Sequence, residues 1–76
     1  MSRGKLAEEI IDFCTKYRLL DISKSKIENQ LENSLFIEYL IHMLIIRAKY
    51  IRNMDFERLN KLLDELEKIR LELNGW

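Results

Sequence analysis

Glu38 and His42 stand four residues apart in a chain with a single histidine, the spacing that puts two side chains on one helix face. A carboxylate and an imidazole so placed supply half of a metal site, and two copies of the chain meeting there could supply the whole. Di-iron bundles use Glu-x-x-His instead, with further carboxylates from neighbouring helices. The pair is therefore read as solvent-facing, with no metal. Cys14 is the single cysteine. It falls on an apolar helical stripe and reads as buried filler rather than as a reactive thiol. Glycine-rich phosphate loops, G-x-S-x-G, H-E-x-x-H and C-x-x-C are all missing from the sequence, so no catalytic residue and no cofactor is expected.

A second kind of chemistry is electrostatic. Lys16, Arg18, Lys24 and Lys26 surround one predicted turn and form a candidate nucleic-acid patch. Against it, Lys+Arg and Asp+Glu balance at 13 each, which removes the simplest case for nucleic acid or an anionic membrane. A helix–turn–helix reader needs a short second helix that opens with polar and basic residues. Here the second helix opens Lys-Ile-Glu-Asn-Gln and reads as about eight turns. A nucleic-acid-binding dimer is the alternative function, not the first.

The elements that position these residues read as all-α. There is no proline, and the two glycines lie near the ends. A first helix is expected over 5–20, with Leu6, Ile10, Phe13, Cys14 and Tyr17 on one stripe. Asp21 to Ser25 breaks it, with Ser23 or Ser25 as the next N-cap. The second helix is expected to run uninterrupted over 24–52, roughly 43 Å at 1.5 Å per residue. Asn53 is placed in the left-handed conformation and Asp55 as a cap. The third helix spans 56–73, with Glu57–Lys61 and Asp64–Lys68 as i,i+4 pairs. Asn74-Gly75 is a stop signal, and Trp76 either folds back or sits in an interface. The expected protomer is thus three helices, the second and third forming an antiparallel hairpin. Arg70 and Glu38, each sixteen residues from the turn at 54, should then be level across it.

The stretch Tyr50-Ile-Arg-Asn-Met-Asp-Phe-Glu-Arg-Leu59 resembles the middle of a tetratricopeptide repeat, where a tyrosine ends one helix and an Asp-aromatic turn begins the next. Met54 stands where that family has a turn glycine, and Leu59 and Leu66 stand where it has alanine. One such unit is present, against the three or so a solenoid needs. The likeness implies a helical hairpin here and is read as shared hairpin chemistry. The order medium, long, medium helix also resembles the histone fold, from which the neutral charge and long third helix depart.

Seventy-six residues bury only about 60% of their unfolded surface, so something beyond the core must add stability. One cysteine and one histidine leave neither an internal disulfide nor a zinc site. Oligomerisation remains. The run Leu35–Ile51 carries two apolar seams: Ile37, Leu40, Leu44, Ala48 and Ile51, and Phe36, Tyr39, Met43, Ile46 and Tyr50. One neighbouring helix cannot cover both, and large bare patches are rare on monomers. The candidate dimer interface is Phe36, Tyr39, Met43, Ile46, Arg47 and Tyr50, with Arg47 either snorkelling or pairing with an acidic residue of a second copy. The expectation is a homodimeric helical bundle that acts by protein–protein binding as a regulator or adaptor. No apolar leader segment follows Met1 and the thiol suits a reducing compartment, so a cytoplasmic protein without membrane attachment is expected.

Overall fold

Four helices form where the sequence reading expects three. In the computed structural model, which describes residues 2–75, they are α1 (Arg3–Tyr17), α2 (Lys24–Gln30), α3 (Ser34–Ala48) and α4 (Phe56–Asn74). Trp76, and with it the choice between folding back and an interface, lies outside the described residues. The all-α reading holds, and no strand occurs among the described residues.

The three-helix protomer with a long central helix is corrected at residues 31–33. The Asn33 side chain accepts from the backbone N–H groups of Leu35 at 3.1 Å and Phe36 at 3.3 Å, starting a new helix. Its amide also donates to Gln30, the last residue of α2. The break has a packing cause. Along one straight helix, the direction of Ile27 and Leu31 would lie about 115° from the mean direction of Ile37, Leu40, Leu44 and Ala48. All six are buried. Interrupting the helix lets α2 pack on α1 while α3 packs on α4. The molecule's longest dimension is accordingly 37 Å, shorter than the uninterrupted second helix alone would be.

Other helix ends follow local chemistry. Ser2 and Ser23 cap α1 and α2 by accepting from Lys5 and Lys26 N–H at 3.2 Å each, so Ser23 rather than Ser25 starts α2. Asp55 caps α4 through Arg58 N–H, and Asn53 takes φ 61°. α1 stops at Tyr17 because Arg18 turns left-handed at φ 54°. Leu19 N–H then reaches back to the Cys14 carbonyl at 3.0 Å, and the Leu19 side chain is buried, which is a Schellman ending without glycine. α3 also stops early, at Ala48, with Tyr50 and Ile51 N–H bonding to the Arg47 and Ala48 carbonyls in a tightened turn. Gly75, at φ 66°, ends α4.

The core joins Leu6, Ile10, Phe13 and Cys14 of α1 to Leu40 and Leu44 of α3 and Leu59, Leu62 and Leu66 of α4. The hydroxyl of Tyr17 accepts from Asp55 N–H at 3.3 Å, and the Arg58 guanidinium lies 5.5 Å from the Phe13 ring centre. These two links set α1 antiparallel to α4. The first helix therefore reaches the far end of α3, where Arg47 meets the Leu19 carbonyl. Phe56 and Leu73, at the two ends of α4, are exposed.

Candidate protein-binding face

Of the two apolar seams, the first is buried: Ile37, Leu40, Leu44 and Ala48 lie in the core, with Ile51 half-buried. The second is divided. Phe36 is half-buried and, with Tyr39, lines a cleft also formed by Leu20, Ile22 and Lys26. Met43 is half-buried. Tyr39, Ile46 and Tyr50 stand 51%, 47% and 84% exposed. Leu35 joins them at 74%. It belongs to neither heptad seam, and its spacing of four from Tyr39 is the sequence signal that joins it to this face.

Leu35, Tyr39, His42 and Ile46 recur at i, i+4, i+7 and i+11 on α3, and Tyr50 follows fifteen residues after Leu35. From Leu35 to Ile46 this is one helical stripe about 16 Å long at 1.5 Å per residue, and Tyr50 continues it into the turn after Ala48. Glu38 and Lys49, eleven residues apart, border one edge of it, and Phe36 and Arg47 border the other.

Arg47 has an occupation within the chain. Its Nη1 donates to the Leu19 carbonyl at 2.7 Å, at the end of α1 where helical carbonyls lack partners. The guanidinium thus ties the C-terminal end of α3 to the α1–α2 loop. On the opposite edge, Glu38 is held from α4: Arg70 Nη1 lies 3.4 Å from Glu38 Oε1, the pairing that the level count across the hairpin anticipates. Arg70 also donates to both oxygens of Glu67, one turn before it. The hydrogen bonds with Glu67 push the Arg70 guanidinium above its ordinary pKa, and the same bonds hold the Glu67 carboxyl below its own.

Elsewhere on α4, Glu57 meets Lys61 at 3.7 Å, whereas Lys68 goes to Glu65 at 3.8 Å rather than to Asp64. Lys16, Arg18, Lys24 and Lys26 are all exposed around the α1–α2 loop. Lys24 is paired with Glu28 at 3.6 Å, and the Lys16 ammonium lies 5.3 Å from the Tyr17 ring centre. Cys14 is buried, and burial pushes its thiol up from 9.0 to about 11. Among the described residues, no three His, Cys, Asp or Glu side chains gather as a metal site. None of the described helices is long and apolar enough to cross a membrane. Compared with family models, with curated proteins and with solved structures, the chain matches none.

Proposed function

We propose that this chain is a small non-enzymatic helical protein that pairs with a second copy of itself and acts by protein–protein binding, as a regulator or adaptor. One observation carries the reading. Leu35, Tyr39 and Ile46 stand exposed in line on α3, with Tyr50 exposed in the turn that follows it, although the opposite side of that helix is fully packed. Water contact with this much aligned apolar surface is unfavourable by roughly 25 cal/mol per Å², and a partner relieves it. Tyrosines at two of the four positions suit an interface, because each offers a large apolar ring and a polar tip.

The test is size-exclusion chromatography of variants on and off the stripe. Ile46→Glu places a charge in the middle of the face and should convert a dimer to a monomer. Met43→Glu, half-buried beside it, should do the same. Lys61→Glu, exposed on α4, should leave the elution volume unchanged. Dimers that survive both α3 substitutions would remove this face from the account.

A further inference from the structure

We infer that the second copy docks antiparallel, α3 against α3, with the two-fold axis passing between His42 and Met43. The inference rests on the self-pairing reading above and adds the geometry of the pair. Its first support is the spacing of the stripe. Leu35 and Tyr50 lie equally far from the midpoint between His42 and Met43, and so do Tyr39 and Ile46. A two-fold axis there sets Tyr39 against Ile46 of the second copy within α3, and Leu35 against Tyr50 in the turn that follows the partner's α3. Each contact then joins an aromatic ring to a branched aliphatic side chain, and each occurs twice. Isologous pairing of this kind is the commonest form of dimer.

Charge selects the orientation. An axis perpendicular to both helices lays each edge of the stripe beside the same edge of the partner. Glu38 and Lys49 share an edge, and in the antiparallel pair they come within about 3 Å of level, two residues at 1.5 Å each. Opposite charges therefore meet twice. A parallel pair would instead lay unlike edges together and set Lys49 beside Arg47, like charges again within about 3 Å of level. Antiparallel helix dipoles favour the same choice.

Area argues for a second copy over a larger partner. Tyr39 and Tyr50, at 51% and 84% exposure, present roughly 270 Å² between them if a full ring side chain offers about 200 Å². Leu35, Ile46 and the exposed parts of Phe36 and Met43 extend this toward about 600 Å² per partner, the low end of specific interfaces. The face is thus fitted to a helix of its own length, and the pair should form at micromolar concentration.

Disulfide trapping tests the geometry, since Cys14 is buried and the unaltered chain serves as the unlinked control. Under mild oxidation His42→Cys, next to the axis, should link to itself. Leu35→Cys should not, because the two copies of position 35 lie about 22 Å apart along the helices. A mixture of Leu35→Cys and Tyr50→Cys should link as a heterodimer. Linked dimer from His42→Cys should exceed that from Leu35→Cys roughly tenfold, given the few ångströms over which a disulfide forms. Efficient self-linking of Leu35→Cys would overturn the antiparallel arrangement and leave self-pairing standing. No linking at any position in a chain that sediments as a dimer would remove α3 as the interface. No linking in a chain that sediments as a monomer would remove the pairing as well.

Discussion

Arg47 borders one edge of the stripe on α3, Arg70 reaches from α4 to Glu38 at the other, and each does more than balance charge. Arg47 closes the end of α1 by donating to Leu19, a contact between residues 28 apart in sequence. Arg70 joins α4 to Glu38 while also holding Glu67. Because Arg70 touches Glu38, Glu38→Gln and Arg70→Gln should be less than additive in urea unfolding. Additive losses would mean that the two groups act independently. Cys14 supports a prediction in pH. A thiol whose pKa is near 9.0 when unfolded and about 11 when folded stays protonated longer in the folded chain. Its contribution is complete below pH 9 and is lost as pH rises toward 11, on the order of 2–3 kcal/mol in all. Stability measured across that range should fall more steeply in the unaltered protein than in Cys14→Ala. Equal slopes would show that burial does not shift the thiol. The stripe containing Cys14 was legible because every member of it is apolar at helical spacing. Arg47 was not, because a backbone carbonyl as acceptor leaves no mark in a sequence.

At the level of elements, caps were readable and the packing break was not. Ser23, Asn53 and Asp55 act through side-chain and backbone preferences that are local, and all three appear where those preferences place them. The break at 31–33 answers to burial directions that depend on which helix lies on each side. Apolar residues continue at plausible helical intervals through it, with Ile27 and Leu31 before and Leu35 after, and no glycine or proline intervenes. Asn33 followed by Ser34 was the available sign. Arg18 hid the end of α1 in a similar way, since the left-handed position there is filled without glycine. Asn33→Ala removes the acceptor for two backbone N–H groups and should cost about 1 kcal/mol in urea unfolding. No loss, together with a rise in helical circular dichroism, would mean that residues 24–48 prefer one continuous helix. Arg18→Gly should be neutral or stabilising, because the residue already sits at φ 54° and glycine meets no steric penalty there.

As a whole, the molecule solves more of its burial problem internally than the sequence indicates. Folding α2 away from α3 brings α1 beside α4 and closes a core containing Phe13, Leu40 and Leu66. What remains most open is one side of α3, besides Phe56, Leu71 and Leu73 exposed on α4. Which apolar seam lay inward was undecided in the sequence, since both have heptad spacing; contact with α4 chose the first. The account's central claim is that the open side meets its own copy. Sedimentation equilibrium across micromolar concentrations measures this most directly. The unaltered chain should give twice its 9.2 kDa mass, and Ile46→Glu should give 9.2 kDa with unchanged helicity. A folded, unaltered chain that stays at 9.2 kDa throughout would contradict the claim.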